Sequence, residues 1–300
     1  KMNILLVAFA IGLLVPAVII FMKENMNTKV RGRKDLENLS IPFIGEIPQY
    51  LSAKKKLGFD KHTQSVMKAI VVKEGNRNII NEAFRVLRSN IDFMAGKDSG
   101  QNVFMLTSFN PGSGKSFLAM NIAMSFAIKK KRILVIDGDL RHGSTSSYVD
   151  SPKTGLSDYL GNRVSDWKEI IVKDEKYDNL HIIPIGTVPP NPTELLEDGK
   201  LATLIEVLRS EYDYIFIDCP PIDIVADAQI IEKLADRTVF VVRSGLLDRS
   251  MLPELENIYQ EKRFKNLSVI LNGTESAGGR YGYRYGYRNG YSSYYGNKGG

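Results

Sequence analysis

The sequence predicts an α/β protein: a parallel sheet flanked by helices, preceded by a transmembrane helix and followed by a tail that builds no core. Three observations carry this. Short continuous apolar runs, rich in Val and Ile, alternate with helix-period segments, the pattern of strands buried on both faces. A stretch that reads as a phosphate loop, SFNPGSGKS, stands between the first such run and the helix after it. Aspartates end two later runs, at the sheet edge where open parallel sheets bind ligands.

Size and composition set the frame. The 300 residues, 43% hydrophobic and 25% charged, suffice for one large domain with flanking segments. Of the formal charge of +6, Arg280, Arg284, Arg288 and Lys298 place +4 on the last 23 residues, which hold no acid, so the body is nearly neutral. A uniformly basic face for nucleic acid is therefore not expected. Cys219 stands alone, which excludes an intramolecular disulfide and a cysteine-built metal site, and fits a reducing compartment.

Taken in order, residues 4–22 (ILLVAFAIGLLVPAVIIFM) carry no charge. As a helix they would be ~28 Å long, close to the ~30 Å hydrocarbon thickness of a bilayer. The stretch is longer than the apolar part of a cleaved signal, and no small-residue cleavage site follows it. Lys23, Lys29, Arg31, Arg33 and Lys34 follow the span against Lys1 before it, so the downstream chain is expected in the cytoplasm. The opening on Lys1 suggests the end of a longer protein whose earlier part lies outside. Residues 1–28 are thus read as span and flank.

Residues 29–78 read as a polar juxtamembrane linker. The Ile-Pro pairs and Gly of IPFIGEIPQYL imply extended, turned chain, and SAKKKLGFDK is a solvated basic loop. From Ile79 to about Met94, Ile80, Phe84, Leu87, Ile91 and Met94 recur at spacings of three and four, an amphipathic helix. Strands are expected at 102–108, 132–137, 179–185, 212–218, 238–243 and 267–272, with helices at about 115–129, 193–210, 225–235 and 248–263. The domain is placed at 79–274. Beyond it, residues 275–300 are too poor in aliphatic side chains to order themselves.

The loop at 108–116 supplies the chemistry. Backbone N–H groups there and at the following helix start surround phosphate oxygens, Lys115 adds charge for the outer phosphates, and Ser116 suits Mg²⁺. The cradle comprises Asn110, Pro111, Gly112, Ser113, Gly114, Lys115, Ser116 and Phe117. Phe109 stands where the first glycine of G-x-x-x-x-G-K-[ST] belongs, and Pro111 lacks an N–H donor. Asp137 and Asp139 close one strand (ILVIDGDLR) and Asp218 another (YIFIDCPP). All three converge on Lys115 at the carboxyl edge of the sheet, which argues for Mg-nucleotide chemistry.

These motifs resemble those of the bacterial protein tyrosine kinases, within the broader partitioning-type P-loop ATPases. ILVIDGDLR is similar to their additional Asp motif, FIDCPP to their Walker B strand, and NEAFRVLR, with Glu82, Arg85 and Arg88, to their ring-forming E-x-x-R-x-x-R. VPPNPTELL, DRTVFVVR and the tyrosine-rich tail resemble the family too. The span with IPFIGEIP resembles the end of polysaccharide co-polymerases. The resemblance implies a tyrosine autokinase using ATP and Mg²⁺. It also implies a homo-oligomeric ring, an octamer among its forms, at the bacterial inner membrane with the catalytic domain in the cytoplasm. Its implied partners are the polysaccharide polymerisation and export machinery and a tyrosine phosphatase.

By the same resemblance Lys115 contacts the β/γ-phosphates, and Ser116, Asp137 and Asp218 serve the metal. Asp137 activates the tyrosine hydroxyl, with Asp139 assisting at either the metal or the base, the division between the two acids being left open by the resemblance. Asn272 is placed near the adenine by the resemblance, and as a turn residue by its own chemistry. The i,i+3 spacing of Glu82, Arg85 and Arg88 also fits an intrahelical ion-pair ladder.

The tail at 278–300 holds seven of the 14 tyrosines: Tyr281, Tyr283, Tyr285, Tyr287, Tyr291, Tyr294 and Tyr295. Its r.m.s. span as flexible chain is ~26 Å, which is compatible with reaching a neighbouring active site. Each phosphate adds about −1.5 to −2 charge, so full modification reverses the tail's sign. A partitioning-type ATPase that switches assembly state without a protein acceptor is the competing reading.

Overall fold

The computed structural model describes residues 27–50, 69–96, 100–222 and 226–275, together with 9, 12–16 and 18. Eight strands form one sheet: β1 (Phe43–Pro48), β2 (Val103–Thr107), β3 (Ile133–Asp137), β4 (Val172–Lys173), β5 (Leu180–Ile183), β6 (Tyr214–Asp218), β7 (Arg237–Arg243) and β8 (Ser268–Thr274). Their order is β1-β8-β7-β2-β6-β3-β5-β4. Every pairing is parallel except β4 with β5.

Strand alternation divides the core in two. Val103 and Met105 of β2, Leu134 and Ile136 of β3, and Ile215 and Ile217 of β6 enter one apolar cluster. Their neighbours Phe104 and Leu106, Ile133 and Val135, and Tyr214 and Phe216 enter the other. With side chains pointing alternately to the two faces, both must be covered, which is why these strands read as unbroken apolar runs.

The second cluster lies under α1 (Ile79–Ala95) and α2 (Lys115–Ala127). In α1, Asn78 caps the start by accepting from Asn81 N, and Ile80, Phe84, Leu87 and Ile91 form the buried stripe. α2 is buried on nearly every side, Ser116 excepted, because it lies between α1 and the sheet. Its one mid-helix amide is explained by its partners. Asn121 accepts from Val71 N (2.7 Å) and Val72 N (3.2 Å) and donates to Ala69 O (3.1 Å), holding residues 69–72 to the domain.

The opposite face carries α3 (Leu156–Leu160), α4 (Pro192–Glu197), α5 (Lys200–Glu211), α6 (Asp227–Glu232) and α7 (Leu252–Gln260). The helix expected over 193–210 is two, because Gly199 adopts φ +80° between them. The one expected over 248–263 begins with a 3-10 turn, Arg249–Met251.

The stretch read as a linker contributes to the domain. Phe43–Pro48 is the edge strand beside β8, with Ile44 and Ile47 buried. Its prolines sit where an edge strand tolerates them, Pro42 just before it and Pro48 at its end. Upstream, Val30 is fully buried and exchanges backbone bonds with Leu247 and Gly245, each 2.8 Å. Of the expected span at 4–22, only residues 9, 12–16 and 18 are described. They are helical and exposed, and among the described residues no helix is long and apolar enough to cross a membrane. The basic stretch 52–61 and the tyrosines at 281–295 lie outside the described residues.

Candidate active site

The loop from Ser108 to Gly114 joins β2 to α2 and is tied down at several points. Phe109, in the position of the missing first glycine, is buried and meets Phe240 edge-on at 4.9 Å between centroids. An apolar anchor thus replaces the glycine at the loop's entrance. Ser108 Oγ and Ser113 Oγ both donate to Asn110 O, at 2.8 and 2.7 Å. Gly112 (φ +76°) and Gly114 (φ +91°) take the left-handed turns that bring the chain into the helix. At Gly114 space is equally restrictive, since a Cβ would lie 2.2 Å from Asn272 Nδ2.

Asn272 is not a turn residue: it lies within β8 and donates through Nδ2 to Ser113 O at 2.8 Å. Leu118 N is the first helical amide to bond back, onto Gly114 O at 2.9 Å. The amides before it in α2 form an anion-binding helix start. Lys115 is buried there with Nζ 3.2 Å from Ser108 Oγ. Burial pushes its pKa down, against the attraction of Asp218 and Asp139.

Two of the three acids face each other. β3 and β6 are neighbours with Asp137 opposite Asp218, and both side chains are shut off from solvent. Asp218 Oδ2 accepts from Ser116 Oγ (2.5 Å) and Thr145 Oγ1 (2.8 Å). Asp137 Oδ2 accepts from Ser146 N (2.6 Å) and Ser146 Oγ (2.7 Å). The Oδ1 atom of each is buried without a hydrogen-bond partner. Burial, with repulsion from neighbouring acids, pushes both carboxyls above their ordinary range.

The unsatisfied Asp218 oxygen beside the Ser116 hydroxyl is a donor set that Mg²⁺ fits, and the free Asp137 oxygen faces the same place. Among the described residues no group of three or more His, Cys, Asp or Glu could hold a metal ion. A cation there would take one or two carboxylates and complete its shell with phosphate and water.

Asp139 makes its bonds locally. Its carboxylate accepts from Arg141 N and His142 N and pairs with His142 Nδ1 at 3.2 Å, while it stays buried and near enough to attract Lys115. The loop beyond it is clamped. Arg141 Nε bonds the fully buried Asp227 (3.2 Å) and its Nη2 bonds Thr193 Oγ1 (3.0 Å), while Thr193 donates to Asp227 (2.6 Å). The VPPNPTELL stretch is thereby joined to the loop carrying Asp139.

Glu82, Arg85 and Arg88 are on α1, away from the loop. Arg85 bonds Glu82 (2.5 Å) and Asn76 O (2.7 Å), and Arg88 reaches Ser125 O (2.8 Å) near the far end of α2. Thr145, Ser146 and Asn272 are site residues that spacing did not single out. Only the Ser/Thr-rich RHGSTSS after the aspartates hinted at donors for them.

Residues 101–244 match the AAA domain family. The tyrosine-protein kinase YwqD of Bacillus subtilis is 34% identical over 210 residues, covering 69% of this chain and 87% of its own. A Klebsiella pneumoniae protein of the cps region is 32% identical over 292 residues. That match takes in 94% of this chain but only 39% of the relative, so the chain spans well under half of its length. The kinase domain of the Escherichia coli tyrosine kinase ETK superposes with a TM-score of 0.71 at 28% identity, over 86% of this chain and 100% of that one.

Proposed function

The chain belongs to the bacterial tyrosine-protein kinases, and from that premise we propose that it transfers the γ-phosphate of ATP to tyrosines of its own tail, Tyr281 to Tyr295, on a neighbouring subunit. The observation that carries the reading is the pair of partnerless oxygens on Asp137 and Asp218 beside Ser116 and the start of α2. Phosphoryl transfer is mainly positioning and charge neutralisation, and these residues supply both. Bound Mg²⁺ would offset charge on the β- and γ-phosphates.

The chain's own groups do the rest. Ser116 donates its proton to Asp218, which turns the hydroxyl lone pairs outward for the cation. Lys115, already desolvated, exchanges its bond to Ser108 for phosphate oxygens. Asp137 is held by Ser146 through Oδ2, and with Ser116 and Asp218 left to hold the cation, its Oδ1, more basic than an ordinary carboxylate, receives the tyrosine proton. Asp139, bonded to its own turn and His142, fixes that loop and adds negative charge near Lys115.

The wider setting is part of the same proposal. Residues 4–22 anchor the kinase in the bacterial inner membrane, and Glu82, Arg85 and Arg88 join subunits into a ring. The cycle of tail phosphorylation, reversed by a phosphatase, regulates synthesis and export of capsular or extracellular polysaccharide. Mass spectrometry after incubation with Mg-ATP tests the core of it. Phosphate is expected on several of Tyr281 to Tyr295 and on none in a Lys115→Met chain; an unmodified wild-type tail would overturn the proposal.

A further inference from the structure

Arg243 ends β7 beside the phosphate loop, and nothing assigned so far uses it. Its side chain is half-buried. Among the described residues its guanidinium has no hydrogen-bond or ion-pair partner, and burial pushes its pKa down with no acid near to restore it. A buried arginine is normally paired, because desolvating an unpaired charge is costly. The setting is also built. A Cβ on Gly114 would lie 3.4 Å from Arg243 Nη1, and one on Gly273 (φ +76°) only 3.0 Å from its Cζ and Nε. The guanidinium lies in a slot that glycines on both sides leave open.

The sheet order says which part of a ligand passes there. The loop follows β2. Asp218 on β6 and Asp137 on β3 lie to one side of that strand, β7 and β8 to the other. The phosphate to be transferred must lie towards the acids, so the nucleoside half extends over the ends of β7 and β8. Asn272, opposite Arg243 in register, has its amide engaged by Ser113 O.

We propose that Arg243 is the residue that receives the nucleoside half of a bound purine nucleotide. A guanidinium is planar, with five donors and no acceptor. It can stack on a purine face while donating to ring nitrogens or ribose oxygens. The contact supplies binding energy from a part of the ligand remote from the transferred phosphate.

The inference rests on the reading of the loop as a nucleotide site, and matched ligands separate the two. Equilibrium dialysis of the full chain with labelled ADP and labelled pyrophosphate, each with Mg²⁺, compares wild type, Arg243→Ala and Arg243→Lys. The lysine variant keeps an aliphatic stem between the two glycines and so guards against misfolding. Both variants are expected to bind ADP about tenfold more weakly, the scale of one charge-assisted contact, with pyrophosphate affinity unchanged. An equal loss for both ligands would make Arg243 a phosphate or structural residue and overturn the proposal, as would unchanged ADP affinity. Failure of the wild type to bind either ligand would overturn the nucleotide reading itself and the proposal with it.

Discussion

At the scale of single residues the site stores unfavourable electrostatics that its ligand relieves. Asp137 and Asp218 are buried side by side, each with one oxygen unsatisfied, and both titrate above the ordinary carboxylate range. A carboxyl whose folded pKa is raised binds its proton more tightly in the native state. Its contribution to stability is therefore greatest at acid pH and is lost as pH rises from about 4 through the raised native value. Without Mg-nucleotide, Asp218→Asn should melt higher than wild type at neutral pH, by at least ~2 °C, the effect of about 1 kcal/mol in a domain of this size. The asparagine oxygen still accepts from Ser116 and Thr145. The same variant should lose autophosphorylation. Thermal melts at pH 5 and pH 8 check the sign: the gain should shrink at the lower pH, and an equal or larger gain there would contradict it. Lys115 and the aspartates were legible in the sequence because loop and strand-end motifs occupy fixed places in such sheets. Thr145, Ser146 and Arg243 were not, since their surroundings are remote in sequence and nothing in their spacing signals the contact; Asn272 was singled out through the family resemblance, but its bond to Ser113 was not.

At the scale of elements, α1 and β1 carry the main lessons. The period of α1 was plain, but spacing alone could not separate an ion-pair ladder from an interface. In the structure Glu82 and Arg85 form the ladder at the surface, while Arg88 bridges to α2. An exposed pair contributes ~0–1 kcal/mol, so the ladder by itself explains little stability. If α1 joins subunits as proposed, Arg85→Ala with Arg88→Ala should give smaller assemblies in light scattering, and an unchanged mass would remove the claim. β1 was read only as extended chain because its six residues, FIGEIP, hold an acid, a glycine and a proline, and period-two burial is weak over so short a run. Its place beside β8 covers that strand's edge and buries Ile44 and Ile47, worth about 1.5–3 kcal/mol each. A chain shortened to begin at residue 79 should therefore melt lower and aggregate more readily than one beginning at residue 27, as scanning fluorimetry and sedimentation can show.

At the scale of the whole molecule, sheet order brings together residues more than a hundred positions apart, as Ser116 and Asp218 show, and leaves the tail to follow β8. A flexible chain of the tail's length has an r.m.s. span of ~26 Å, which is compatible with the proposed transfer to a neighbouring subunit. Mixing a Lys115→Met chain that keeps the tail with an active chain lacking residues 275–300 should place phosphotyrosine on the former; its absence would argue against transfer between subunits. The sequence alone determined the fold class, the run of strands from β2 to β8 except the short β4, the phosphate loop and its three acids, because apolar period and strand-end chemistry are local properties. Tertiary structure alone decided that the expected linker carries an edge strand, and that Asp137 faces Asp218 while Asp139 bonds within its own turn. It also engaged Asn272 with the loop and left Arg243 unpaired beside it. Each of these depends on which strands are neighbours and how they are staggered, and strand neighbourhood is set by packing across the whole sheet, which no local pattern encodes.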